Sequence, residues 1–424
     1  MPATLNRKQA LAKKNENPLL LHKNGHGDIE QNPLMKRIPA SGRLRLTIVL
    51  IISLLTALMH QQAKAAVSPL NSDGPVPLAA MKLVSFCNNP KAGLDLQAVN
   101  TLVDYVLEPK PHKEAALPKL QDATGAYFES DIRISFADFL NYSYNSTIPS
   151  AVTSPSSLRY SRLLSSPGNT KKTPGNWIPP SPGGSPVIIN ETLRNGNTPD
   201  QTTGVYYEYD VKRVLILLNH KGRQVLITIS KQVDVSDVGK KGFILGSDDD
   251  WNYYYSGEPG SAKPGLGWVK SYIYNFFSVG VYINSGSSPA MVRSGFFQWI
   301  RAGWSGVNFV QPHHVIKGMK RHDRNYRAIL ESPNLPASSE ITSAYRRLSA
   351  LPQSDLTKRY AVLQQARQSL ALQRGKIKAD DIKKHNDYFN VPREQIIEEL
   401  MVEYLKLALG KPSPIPHNII AGVH

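Results

Sequence analysis

Two β-rich segments joined by a turn, between residues 205 and 235, constrain the fold more than any other feature of the sequence. Both segments are dense in β-branched or other apolar residues, the first also in tyrosines, and Asn219-His220-Lys221-Gly222 between them has turn chemistry. The second segment places three apolar residues at alternate positions: Val225, Ile227 and Ile229. The pattern predicts a β-hairpin.

The elements after this hairpin predict the fold class. A further β-rich stretch, 268–284, has a predicted bulge near Ser278 and Gly280, and helical spacing follows at 294–304 and 315–330. Strands followed by helices favour an α+β fold with an antiparallel sheet. We therefore predict an α+β domain over 204–335, for which a curved sheet wrapped on a helix is one arrangement.

The segments before and after this domain differ from it in composition and in their local structural signals. For residues 66–148 we predict a small mixed segment. It contains a linker at 66–81, a helix at 95–107 and a stretch at 132–140 whose secondary structure is ambiguous. Residues 149–203 are rich in Pro, Ser and Gly. This composition predicts a linker, or an extended arm that packs on a neighbouring surface through its few large apolar residues. Caps and stop signals predict an all-α C-terminal domain over 338–410, with helices at 354–375, 379–389 and 392–410. Residues 411–424 then form a tail.

An uncharged apolar run from Leu46 to Met59 predicts export. It follows several Lys and Arg residues and precedes the small-x-small triplet Ala63-Lys64-Ala65. Fourteen residues suit a signal peptide, whereas a transmembrane helix needs about 20. We predict a signal peptide or signal anchor over 35–65, with 1–34 either a disordered extension or the result of a start at Met35. The protein would then be periplasmic, at the cell surface, or secreted, with residues 46–59 holding it to the membrane if the signal is not cleaved.

The charge and cysteine content narrow the choice of partners. Of the formal charge of +17, seven units lie in residues 1–65, where they indicate membrane topology and not nucleic-acid binding. Outside the cytoplasm we expect no nucleic-acid partner. The single Cys87 rules out an intrachain disulfide and a Cys-built zinc site, and it predicts a buried thiol.

Three groups of residues could carry chemistry. Asp248, Asp250 and Asn252 begin like a calcium loop but lack the glycine and carboxylate that such a loop needs further on, so a solvated acidic turn is the simpler interpretation. His313, His322, Asp250 and Glu258 are the candidate acid and base residues, although no His spacing predicts a metal or cofactor site. A basic cluster predicts either a solvated helix face or contact with an anionic surface: Lys317, Lys320, Arg321 and Arg324.

The aromatic residues are the candidates for ligand binding. Most of them must belong to the core, but a curved sheet over a helix can enclose an aromatic-lined cavity. We select six of them: Trp251, Tyr254, Trp268, Tyr272, Tyr274 and Trp299.

These observations favour an exported, non-catalytic binding protein for an apolar ligand, a lipid or an envelope component. The nucleophile, phosphate-loop and dinucleotide motifs are absent, so we favour a function that is not enzymatic. One alternative is an envelope-directed hydrolase that uses the acid and base candidates. Another is an assembly component that binds an envelope protein through the broad apolar stripe of the C-terminal helices.

Overall fold

A computed structural model describes most of the chain after the predicted export signal. It covers residues 70–71, 74–165, 177–263, 267–378 and 390–421, with the backbone alone for 261–263, 267–268, Ser287 and Ala421. The described residues belong to one compact unit that spans 67–424. The predicted signal, the start at Met1 or Met35, the helix at 379–389 and the Trp268 side chain lie outside the described residues.

Eight of the thirteen described strands form one antiparallel sheet, which confirms the predicted α+β class. The strands are β1 Glu114–Leu120, β2 Ala123–Ile132, β3 Leu158–Ser165, β4 Val187–Asn197, β5 Val205–Tyr206, β6 Glu208–His220, β7 Arg223–Gln232, β8 Lys240–Ile244, β9 Tyr253–Pro259, β10 Ser261–Lys263, β11 Gly267–Val269, β12 Tyr272–Ser287 and β13 Ala290–Gly303. The order in the large sheet is β1-β2-β13-β12-β7-β6-β4-β3. Strands β5, β8 and β9 form a second sheet, and β10 pairs with β11.

Helices lie before, between and after the strands. They are α1 Pro75–Asn88, α2 Leu96–Leu107, α3 Phe136–Ser143, α4 Ser150–Thr153, α5 Pro312–Leu330, α6 Ser338–Ala350, α7 Gln353–Gln373, α8 Arg393–Ala408 and α9 His417–Ala421. Gly375 and Gly410 have positive φ just past α7 and α8, as expected for glycines that end helices.

The predicted hairpin is β6 and β7, and its turn explains the register. Lys221 and Gly222 both have positive φ, of 51° and 79°, which is the geometry of a two-residue hairpin turn that matches the twist of the strands. His220 pairs with Arg223 across it, and pairing continues to Val211 opposite Gln232. The prediction of a hairpin here is confirmed.

The large sheet is buried on both faces. Val225, Ile227 and Ile229 of β7 pack with α1 and α2 on one face, whereas Leu226 packs with the later helices on the other. Burial on both faces explains the uninterrupted apolar run 214–218 of β6, because neither set of alternating side chains meets water.

Three local predictions are wrong. Residues 149–203 are not a linker or arm, since they supply β3 and β4 to the edge of the sheet. Residues 294–304 form β13 and not a helix, because a strand covered on both faces shows no alternation. The irregularities of β12 lie at 273–275 and 284–286, not near Ser278 and Gly280.

Two other N-terminal expectations are resolved. Helix α1 begins at Pro75, inside the predicted linker 66–81. The ambiguous stretch 132–140 is a junction, where β2 ends at Ile132 and α3 begins at Phe136, capped by Ser135.

The C-terminal helices cover the face of the sheet opposite α1 and α2. Apolar residues of α6, α7 and α8 share one cluster with Leu215, Leu217 and Leu226 of the sheet. The apolar stripe of α8 is buried there, with Ile396, Leu400 and Met401 among its members. Contact with an envelope protein through these helices would therefore have to use another face.

Candidate ligand-binding site

A pocket of about 350 Å³ lies between the first half of α5 and the end of the sheet where β12 begins and β13 ends. Its wall on the sheet side is apolar. The residues of that wall and the adjoining segment are Ile273, Ile300, Ala302, Trp304, Phe309 and Val310. Residues 200–203, together with Tyr207 and Ser271, form a more polar side.

Helix α5 contributes one face to the pocket. The α5 residues that line it are His314, Lys317, Gly318 and Arg321. They are three, one and three residues apart, which places them on the same side of the helix. The helix begins with Pro at its first position, and the Nδ1 atom of His314 accepts a hydrogen bond from the Gln311 backbone N–H at 3.1 Å. This bond fixes the start of α5 at the pocket.

Gly318 makes room on this face. A Cβ atom built at Gly318 would have no neighbouring atom within 4 Å. Glycine inside a helix costs about 0.5–1 kcal/mol relative to alanine, and packing does not require it here. The open space beside Gly318 is part of the pocket.

Arg321 is neutralised within the pocket. Its Nε donates to Asp248 Oδ2 at 2.7 Å and its Nη2 to Asp248 Oδ1 at 2.5 Å. Burial acts to raise the pKa of Asp248, but the Arg321 guanidinium outweighs it and holds that pKa below its ordinary value. Gln201 and Tyr253 also donate to this carboxylate, so Arg321 and Asp248 form a fixed pair.

Lys317 is the cation that remains available to a ligand. It is exposed, and no carboxylate among the described residues pairs with it. Desolvation and the neighbouring His313 and Lys317 lower the pKa of His314, which leaves His314 neutral at pH 7. Across the pocket, the carboxylate of Asp200 accepts hydrogen bonds from the backbone N–H groups of Thr202 and Thr203 at 2.7 and 2.6 Å.

The rest of the predicted basic cluster is paired with acids. Lys320 forms an ion pair with Glu114, and Arg324 forms one with Asp249 at 2.8 Å. The acidic turn at 248–250 and the basic face of α5 are therefore partners. In the sequence they stand far apart and read as two separate candidate sites.

The candidate acid and base residues do not come together. Desolvation lowers the pKa of His322 to about 4, and its Nδ1 lies 3.2 Å from the hydroxyl of Ser157. Among the described residues no carboxylate bonds to His313 or His322. Glu258 lies 3.7 Å from Lys241 on β8, and Asp250 belongs to the turn before β9.

The five selected aromatic residues whose side chains the structure describes are dispersed. Trp251 is buried under the C-terminal helices, where its Nε1 donates to Asn325 at 2.7 Å. Trp299 packs on the opposite face of the sheet and donates to the Pro118 carbonyl at 2.8 Å. Tyr254 belongs to a small cluster with α7. Tyr272 and Tyr274 alone lie at the sheet end that carries the pocket, with ring centroids 6.1 Å apart.

A buried ionic network between β3, α7 and α8 has no counterpart in the sequence predictions. Glu399 binds Arg159 at 2.8 Å and also pairs with Arg367, whose Nη2 lies 3.2 Å from Glu403. Lys406, fully buried, completes it at 2.8 Å from Glu403. The spacing of these residues on α8 resembles that of any solvated helix, so composition gives no signal that they are internal.

The network shifts the pKa of neighbouring glutamates in opposite directions. Burial acts to raise the pKa of Glu399, but Arg159 and Arg367 outweigh it and lower that pKa to about 2. Glu398 lacks such partners, and burial raises its pKa to about 8. The network leaves a cavity of only about 10 Å³, which is too small for a ligand.

The described surface also has larger depressions. One of about 430 Å³ lies between the turn before β9, helix α7 and residues 412–414. A groove of about 670 Å³ runs along α1 and α2, and its charged residues Lys82 and Asp95 pair with each other at 2.9 Å. No described group of three or more His, Cys, Asp or Glu side chains could hold a metal ion. Of the helices in the described ranges, none has the length and apolar content to cross a bilayer.

Comparisons with known proteins give no relatives. No protein-family model matches the chain, and neither a curated protein nor a solved structure matches it significantly.

Proposed function

We propose that the protein is a non-catalytic binding protein for an amphiphilic anion. The apolar chain of the ligand would lie against the sheet, and its anionic group would lie near Lys317. One observation carries the proposal: an apolar wall and an unpaired cation face the same pocket, while the other cation, Arg321, is already neutralised by Asp248.

The size of the pocket favours a single short chain. Small-molecule sites usually measure about 300 to 1,000 Å³, and this pocket, at about 350 Å³, is near the lower end. A medium-chain carboxylate suits this volume better than a lipid with two chains. The ligand would combine burial of apolar surface with one charge-assisted hydrogen bond.

The geometry of the titratable groups supports binding over hydrolysis. A hydrolase would need an acid or base aligned with a carboxylate or nucleophile at a cleft. The three histidines of α5 make other contacts. His314 caps the helix, His322 stacks on the Tyr326 ring, and His313 is exposed to solvent.

Export forms part of the proposal. The predicted signal at 35–65 would deliver the protein to the periplasm or the cell surface, where amphiphilic anions from the envelope are available. This rests on the sequence of a segment that lies outside the described residues.

Isothermal titration of the purified protein with decanoate tests the proposal. We expect binding with a negative heat-capacity change, the marker of apolar burial. Gly318→Leu should abolish it by filling the pocket. Lys317→Gln should weaken it about tenfold or more, because a hydrogen bond to a charged group contributes about 1.5–3 kcal/mol.

Two controls make the experiment specific. Ala328→Leu adds the same side chain at an exposed position of the same helix and should leave binding unchanged. Decanol should bind the wild type and Lys317→Gln equally, because it carries no charge. If Gly318→Leu binds decanoate as the wild type does, the ligand does not occupy this pocket and the proposal fails.

A further inference from the structure

The segment that follows β13 forms a tight, hydrogen-bonded loop at the mouth of the pocket. In this 304–309 loop the rings of Trp304 and Phe309 stack with centroids 3.8 Å apart. The Gly306 N–H donates to the Tyr274 hydroxyl at 2.8 Å, and Arg301 donates to the Gly306 carbonyl at 2.9 Å. The Phe309 N–H also donates to the Ala302 carbonyl at 3.0 Å. These bonds hold the loop in one shape.

The loop presents apolar side chains to solvent. Val307 is 51% exposed and Phe309 is 41% exposed, although both lie in a segment that the neighbouring strands hold in place. Exposed apolar side chains that a fixed loop holds beside a pocket are candidates for a contact surface. Val233 and Val235 are also exposed near this end of the sheet, but Asp234 lies between them, so we do not include them.

The stretch of chain that contains the loop is basic. From 259 to 322 the chain contains no Asp or Glu and seven Lys and Arg residues. Three of the seven pair with acids from other segments, as follows: Arg293 with Glu129, Lys320 with Glu114 and Arg321 with Asp248. Lys270, Arg301 and Lys317 have no carboxylate partner among the described residues.

These cations lie at the same end of the sheet as the loop. Lys270 comes two residues before Tyr272, which pairs with Gly303 at the end of β13. Arg301 precedes the loop on that strand, and Lys317 lines the pocket with Phe309. Together with Val307 and Phe309 they form a surface in which apolar residues are flanked by unpaired cations.

We propose that this docking surface, made of the 304–309 loop with Lys270, Arg301 and Lys317, binds the surface of an anionic lipid bilayer. Cations near such a surface are attracted to it, and aromatic residues favour the boundary between headgroups and acyl chains. The pocket would then open toward the membrane. Membrane docking extends the proposed function and rests on it. Amphiphilic anions partition into bilayers, so a protein that binds them would find them there.

A fluorescent label at position 307 tests the orientation on the membrane. The only native cysteine, Cys87, is buried, and burial raises its pKa to about 11, so the Val307→Cys protein can be labelled at that position alone in the full chain. Val362→Cys on α7, where the valine is 38% exposed, is the matched control. Quenching by nitroxide lipids is measured in phosphatidylcholine vesicles with and without phosphatidylglycerol.

We expect several-fold stronger quenching of the label at position 307 than of the label at position 362, and only in the vesicles that contain phosphatidylglycerol. Adding Lys270→Gln should weaken the apparent vesicle affinity of the labelled Val307→Cys protein about fivefold, the effect of one cation near an anionic surface. Equal quenching at the two positions would overturn the proposal. So would shielding of the position-307 label without vesicles as protein concentration rises, because the loop would then contact another copy of the chain.

The outcome is separable from that of the proposed function. Decanoate binding is measured without vesicles, and neither Val307 nor Lys270 lines the pocket. Selective quenching at position 307 in a protein that fails to bind decanoate would support docking and refute the ligand proposal. The reverse result would refute docking alone.

Discussion

Replacing Glu398 by glutamine should stabilise the protein at pH 8 and change its stability little at pH 4. Glu398 is 5% exposed, and its Oε2 accepts a hydrogen bond from the Ser161 backbone N–H at 2.7 Å, on the edge strand β3. The charged groups around it are Glu394 and Glu399 on its own helix, and the Tyr345 ring approaches from α6. Burial raises its pKa from the ordinary 4.5 to about 8.

The sign and size of the effect follow from this pKa. Because the pKa is higher in the folded protein, the contribution of Glu398 to stability is complete below pH 4.5 and is lost as the pH rises toward 8. At about 1.4 kcal/mol per pH unit, the loss reaches about 4 kcal/mol at pH 8. Glutamine keeps an oxygen for the Ser161 N–H but cannot ionise, so the variant should not show this loss.

Urea unfolding at pH 4, 6 and 8 measures the difference. The gap between variant and wild type should widen with pH, and Glu394→Gln, an exposed position on the same helix, should show no such gap. A Glu398→Gln protein that is no more stable than the wild type at pH 8 would refute the reasoning. It would mean that water or a cation reaches this carboxylate.

Four further predictions concern other groups in the fold. Glu399→Gln should destabilise the protein by about 3–5 kcal/mol in urea unfolding at pH 7, because two buried guanidinium groups lose their shared carboxylate. Cys87 should react with thiol reagents at pH 7 only when the protein is unfolded, as followed by absorbance, because burial raises its pKa to about 11. Gly303→Ala should lower the urea midpoint, at a cost of about 1–3 kcal/mol, since its Cβ would lie 2.1 Å from the Val307 carbonyl. Gly318→Ala, which meets no neighbouring atom, should instead raise the midpoint by the equivalent of about 0.5–1 kcal/mol.

The sequence predicts the fold best where its local signals agree. In the hairpin β6–β7 the alternating apolar residues of β7 agree with a turn that contains glycine, so the hairpin could be predicted. In β13 the two signals conflict, because Phe296 and Phe297 are neighbours that pack on opposite faces. Period alone cannot distinguish such a strand from a helix. The strands within 149–203 are hidden in the sequence by the prolines between them.

The site could be predicted in part. Lys317 and Arg321 stand out as members of a basic cluster, but only the fold shows that Asp248, 73 residues away in sequence, neutralises one of them. Gly318 gives no signal, because an open space beside a helix depends on what the sheet leaves unfilled. The charged residues Glu399 and Lys406 look solvated for the same reason: their partners come from β3, α7 and the turn before β9.

The C-terminal helix and the pocket are connected through that turn. Lys406 donates to Asn252 at 2.6 Å, and Lys411 donates to the Asp249 carbonyl at 2.8 Å, so the end of α8 holds the residues around Asp248 in place. Asp248 in turn neutralises Arg321 within the pocket. The charge beside Lys317 therefore depends on residues that do not themselves line the pocket.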